Sequence, residues 1–141
     1  MKKTTAELLE ILKKQNDPSA FLKAEKDEML NVSPSAYLNT ILEKKGLKKS
    51  EVIRRANLDR TYAYQLFSGT KTNPARDKIL MLCLGLGATS EETQRALKLF
   101  GVSELYVRNT RDAAIFYCLQ KGMSLVDTNL LLADMGFEIL E

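Results

Sequence analysis

A chain of 141 residues with 45% apolar and 28% charged side chains is long enough for one well-buried domain plus an appendage, and its composition excludes global disorder. It contains no histidine, the commonest general base and metal ligand, and its two cysteines, Cys83 and Cys118, cannot complete a four-ligand zinc site. With no phosphate-loop, dinucleotide or Ser-His-Asp pattern either, the expectation is a non-enzyme without cofactor or metal.

The net charge of +3 is unevenly spread. Residues 1–34 balance six basic against six acidic groups, residues 35–80 hold ten basic and four acidic groups, and residues 81–141 hold five basic and eight acidic. A middle segment at +6 is what a phosphate-binding surface needs. No apolar run reaches the roughly 20 residues that span a bilayer, and Glu7 and Glu10 follow Met1, Lys2 and Lys3 without a signal-like apolar stretch. The expectation is a cytoplasmic chain, with both cysteines as small buried hydrophobes.

The apolar spacing is helical along nearly the whole chain, and no stretch alternates with period two. Residues 1–32 predict an N-terminal amphipathic arm of two short helices broken at Asp17-Pro18. Leu8, Leu9, Ile11 and Leu12 form one apolar face, and Phe21, Leu22, Met29 and Leu30 another. Residues 33–102 predict a compact five-helix block. Its first helix carries Tyr37, Leu38, Ile41 and Leu42 and stops at Gly46; the second carries Val52, Ile53 and Ala56; the third carries Ala63, Leu66 and Phe67 and stops at Gly69. The fourth, Ile79 to Leu84, is apolar on nearly every side and should be central. The fifth carries Leu97 and Phe100 and stops at Gly101. Residues 103–141 predict a helical hairpin, Ala113–Leu119 and Leu125–Met135, turning at Gly122.

All seven glycines (Gly46, Gly69, Gly85, Gly87, Gly101, Gly122 and Gly136) stand where a helix is expected to end. Thr89 with Glu92 and Ser124 with Asp127 have capping-box spacing, and Ser33-Pro34 and Asn73-Pro74 mark helix starts. The parallel between Lys45-Gly46-Leu47 and Lys121-Gly122-Met123 reads as shared capping grammar rather than duplication.

The segment Leu47 to Gly69, LKKSEVIRRANLDRTYAYQLFSG, joins two short helices through Asn57-Leu58-Asp59. Asp59 is placed to cap the second of them. At 100° per residue, Ala63, Leu66 and Phe67 face inward while Thr61, Gln65 and Ser68 face outward, with Tyr64 at the flank and Arg60 in the first turn. Arginine, glutamine and a hydroxyl suit base edges in the major groove. An ordinary solvated helix face is the alternative.

The segment resembles the helix-turn-helix of the Xre/Cro family, which includes the lambda-type phage repressors, and the resemblance extends over roughly residues 35–100. It implies an all-α, lambda-repressor-like five-helix domain whose Arg60–Ser68 helix enters the major groove of double-stranded DNA, and a role in transcription regulation. By the resemblance, Arg60, Thr61 and Gln65 contact bases, and Lys49 and Ser68 contact phosphates. Charge and position add Lys48, Lys71 and the amides near Asn73 as phosphate contacts, and Tyr64 is placed at the sugar-phosphate edge.

The sequence departs from the family at Lys49, where glutamine is usual, at Tyr62 and Tyr64, where small or polar residues are usual, and at Ile53, where alanine is usual. The second reading is a protein-interaction adaptor on a helix-turn-helix scaffold, with Tyr62, Tyr64 and Phe67 as an aromatic contact face. A homodimer contact through the C-terminal hairpin or the N-terminal arm is left open. Ile115, Phe116, Leu119, Leu125, Leu130, Leu131, Leu132 and Met135, with Phe137, Ile139 and Leu140 in the tail, exceed what a short helix pair buries alone. They either join subunits or complete the core.

Overall fold

The computed structural model describes residues 3–14, 18–19 and 32–141, and these are all-α, with eight helices and no strand. The chain divides into two units, 1–32 and 33–141. In the first, α1 (Thr5–Lys13) is capped by Thr4, which accepts from the Glu7 amide, and none of its residues is buried. The rest of the expected arm, with the break after Asp17 and the Phe21–Leu30 face, lies outside the described residues except for Pro18 and Ser19.

The second unit runs α2 (Pro34–Lys44), α3 (Lys49–Ala56), α4 (Arg60–Ser68), α5 (Arg76–Leu86), α6 (Ser90–Leu99), α7 (Thr110–Gln120) and α8 (Leu125–Asp134). Side-chain caps set most of the starts. Ser33 accepts from Ala36, with Pro34 in the first turn, and Thr89 and Glu92 form a complete capping box. Ser124 supplies the forward bond from the Asp127 amide.

In the second unit, every stop except that of α4 uses one backbone device. After α2 the amides of Gly46 and Leu47 return to the carbonyls of Glu43 and Leu42, and after α7 those of Gly122 and Met123 return to Leu119 and Cys118. The echo between these two turns is therefore capping chemistry. After α3 the same device uses Asn57 (φ 52°) in the left-handed position, a conformation that asparagine tolerates better than most side chains.

Helix α5 is the hub. Every residue from Ile79 to Leu86 is buried, and α3, α6 and α8 pack on it. Here one expectation is corrected. Gly85 does not end a helix; it lies inside α5 with ordinary helical φ, and the stop is Gly87. A Cβ on Gly85 would stand 2.7 Å from the Val52 carbonyl oxygen and 2.8 Å from the Ala56 Cβ. Gly85 and Ala56 are thus small because α3 and α5 touch backbone to backbone.

The hairpin is part of this core. Ile115, Leu119, Leu125, Leu132 and Leu140 are buried with the helices before them. Two crossed ion pairs hold it. Arg76 at the start of α5 grips Asp112 of α7 at 2.7 and 3.0 Å and donates to the Ser103 and Glu104 carbonyls, while Arg111 grips Asp77 at 3.0 and 3.1 Å. Burial alone would raise the Asp112 pKa, but the Arg76 bonds, the Tyr106 amide and the Arg76 and Arg111 charges outweigh it, and the carboxyl sits below its ordinary value. Leu130, Met135 and Ile139 remain exposed, so the apolar surplus of the hairpin is split between core and surface.

Both cysteines are buried and free. Burial pushes the Cys83 thiol up to about 12, so it stays protonated and unreactive. Among the described residues no helix is long and apolar enough to cross a membrane, and no group of three or more acidic, Cys or His side chains is placed to hold a metal.

Candidate nucleic-acid interface

Two short helices, α3 and α4, are set by the turn between them. Leu58 is buried, Asn57 takes the left-handed bend, and Asp59 caps α4 by accepting from the Tyr62 amide at 3.0 Å. Ala63, Leu66 and Phe67 anchor the inner face of α4. Asn39 of α2 ties its far end, donating to the Phe67 carbonyl and to Ser35, both at 2.8 Å. The helix closes on the Gln65 carbonyl, which accepts from the Gly69 and Lys71 amides and the Ser68 hydroxyl.

On the outer face Arg60, Thr61 and Ser68 are exposed, and Gln65 and Tyr64 are partly buried. Lys48 is the exposed residue before α3, and Lys49, in its first turn, is partly exposed. Lys71 and Asn73 are exposed in the loop beyond α4. The Ser68 hydroxyl also lies 2.9 Å from that of Thr70, so Thr70 shares this corner, a residue passed over in the sequence. Ser50 and Arg54 were passed over as well. With Asn57, Arg60 and Tyr64 they line a groove of about 340 Å³ beside the turn, and only their i, i+4 spacing on the outward side of α3 signals it.

The aromatic side chains do something the sequence did not disclose. Lys49 Nζ lies 5.6 Å from the Phe67 ring centre, the Arg60 guanidinium 5.6 Å from Tyr64, and Lys71 Nζ 5.7 Å from Tyr62. Each contact is worth only about 0.5–1 kcal/mol at an exposed site, but it orients a long cation without neutralising it. Arg60 is thus folded over Tyr64, one turn along the same helix. Burial raises the Tyr62 pKa against an opposing hydrogen bond from the Ala75 backbone. Phe67 is only 2% exposed, so the expected aromatic contact face loses its third member to the core.

The excess charge of residues 35–80 can now be apportioned. Arg76 is spent on Asp112, Arg55 pairs with Glu51 at 3.0 Å, and Lys44 and Lys45 lie 3.7 and 3.4 Å from Glu92. Lys48, Lys49, Arg54, Arg60, Lys71 and Lys78 have no carboxylate partner among the described residues. The first five lie on or beside the α3–α4 pair, and Lys78 stands in the first turn of α5. Compared with known proteins, the chain matches no family model, no curated protein and no solved structure.

Proposed function

We propose that this protein binds double-stranded DNA sequence-specifically and regulates transcription, with α2–α6 serving as a lambda-repressor-like unit and α4 entering the major groove. The observation that carries the reading is the segregation of charge. Of the six cations in residues 35–80 that have no carboxylate partner among the described residues, five lie on or beside the α3–α4 pair, and the outer side of α4 offers an arginine, a threonine and a glutamine. In this reading Arg60, Thr61 and Gln65 read base edges, while Lys48, Lys49, Ser68, Lys71, Tyr64 and the Asn73 loop hold phosphates on either side. Arg60 leaves the Tyr64 ring to reach guanine, a small cost against the roughly 1–3 kcal/mol of a bidentate base contact.

A single unit reads few base pairs, and repressors of this kind commonly act in pairs on palindromic sites. The exposed Val126, Leu130 and Met135 of the hairpin, 68%, 64% and 53% accessible, favour a second copy of the chain as the partner there. Selection from random duplexes tests the reading. The wild type returns a consensus, and Arg60→Ala and Gln65→Ala each relax it at particular positions. The same consensus at the same affinity from all three proteins refutes the assignment.

A further inference from the structure

Adjoining the smaller groove beside the turn, with which it shares Arg54 and Asn57, lies a larger groove of about 760 Å³, walled by the C-terminal half of α3, the end of α5 and the α7–α8 turn. Its size falls within the range of small-molecule sites, roughly 300–1,000 Å³. Leu84, Leu119 and Leu125, all buried, give it an apolar floor, and Met123 stands at its side. Among the described residues, Arg54 and Arg55 are the only charged side chains lining it, and no carboxylate does. Arg55 shares its charge with Glu51, whereas the Arg54 guanidinium has no ion-pair or hydrogen-bond partner among the described residues.

Helices α5 and α7 end at the groove, where the Leu84 and Cys83 carbonyls accept from the Gly87 and Ala88 amides, and the Leu119 and Cys118 carbonyls from the Gly122 and Met123 amides. Helix α8 begins there, and its first amides, at Leu125 and Val126, have no acceptor within the helix. An apolar floor beneath two arginines suits a ligand with a hydrocarbon body and one anionic head. It does not suit a nucleic-acid backbone, which would leave the floor uncovered.

We infer that this groove binds a small amphipathic carboxylate, its chain on Leu84, Leu119 and Leu125 and its carboxylate at Arg54 and Arg55. Such a ligand presses on α3, the helix that carries α4. A change in duplex affinity on binding is therefore the regulatory consequence, and that consequence alone rests on the DNA reading.

The test uses the full chain without DNA. Octanoate, octanol and octylamine are titrated by calorimetry, with amide chemical shifts locating the site. Octanoate binds saturably at one site and shifts the amides of residues 84–88 and 119–126, at least about tenfold more tightly than octylamine. The double variant Arg54→Gln/Arg55→Gln loses about tenfold for octanoate and little for octanol, and Met123→Trp, filling the groove from its side, abolishes both. Non-saturable binding, shifts elsewhere, or an unchanged octanoate affinity in either variant overturns the proposal. Repeating the octanoate titration with duplex DNA present reads the regulatory consequence separately, so failure of DNA binding leaves the site itself standing or falling on the first experiment.

Discussion

Gly85→Ala probes the joint on which the α3–α4 pair is mounted. In an isolated helix the change would favour folding by about 1 kcal/mol, because alanine restricts the unfolded backbone and fits the helix better. Here the new methyl meets the Val52 carbonyl oxygen at 2.7 Å, and the shortest ordinary contact is 3.4 Å, so α3 must retreat by roughly 0.7 Å. The obstruction is backbone, which cannot rotate away, so the upper part of the usual 1–3 kcal/mol overpacking cost applies.

The net expectation is a loss of about 1–2 kcal/mol, seen as a fall in Tm of about 5 °C or more. Urea unfolding followed by circular dichroism measures it. Ala56→Gly in the same chain removes the 2.8 Å methyl contact but not the carbonyl clash, so it restores only part of the loss after its own helix penalty is subtracted in a double-mutant cycle. A Gly85→Ala protein as stable as the wild type, or more stable, would refute the close-approach reading and return Gly85 to the role of an incidental helix residue.

Arg76→Ala leaves the buried Asp112 carboxylate without its main partner and should cost about 3 kcal/mol by urea unfolding, well above the effect of Arg55→Ala on the exposed Glu51 pair. Acid should act through the same carboxyl. Its folded pKa is depressed, so its stabilisation is present above the unfolded value of about 4 and is lost as pH falls through the folded value. Glu92 behaves in the same sense: burial opposes ionisation, but the Thr89 amide, Lys45 and Lys44 prevail and lower its pKa. A Tm that falls below about pH 4, with a shallower fall in Asp112→Asn, is the expected profile; a Tm that rises on acidification contradicts it. Truncation after Val102 removes Ile115, Leu119, Leu125, Leu132 and Leu140 from the core, so residues 1–102 should lose cooperative thermal unfolding. A folded truncated protein would show that the hairpin is an appendage.

Helix positions were legible in the sequence because local chemistry writes them. Ser33, Asp59, Thr89 and Ser124 cap as their spacing suggests, and the central placement of α5 follows from an apolar run with no polar face. What the sequence concealed depends on distant partners. Gly85 stands two residues from a true stop, and nothing local separates a glycine that ends a helix from one that admits a neighbouring backbone. The Arg76–Asp112 and Arg111–Asp77 pairs span 36 and 34 residues, so a tally of charge counted Arg76 toward a phosphate surface when the fold uses it as a clasp. Around the proposed interface the outward set on α4 was readable from helical period. The Arg60–Tyr64 contact is likewise an i, i+4 pair within α4, but the resting of Lys49 on Phe67 and of Lys71 on Tyr62 was not readable, because it depends on how the start of α3 and the loop after α4 come back to that helix.

The central claim is that the unpaired cations around α4 face DNA, and the salt dependence of duplex binding measures it most directly. Fluorescence anisotropy with a selected duplex, from low to moderate salt, should give log affinity falling linearly with log salt, each phosphate contact contributing about −0.9 to the slope. Lys48→Ala, Lys49→Ala and Lys71→Ala should each flatten the slope by about that amount and leave the consensus intact, whereas Arg60→Ala should relax the consensus at particular positions. A wild type that binds the duplex no better than it binds an acidic polypeptide at any salt would contradict the account.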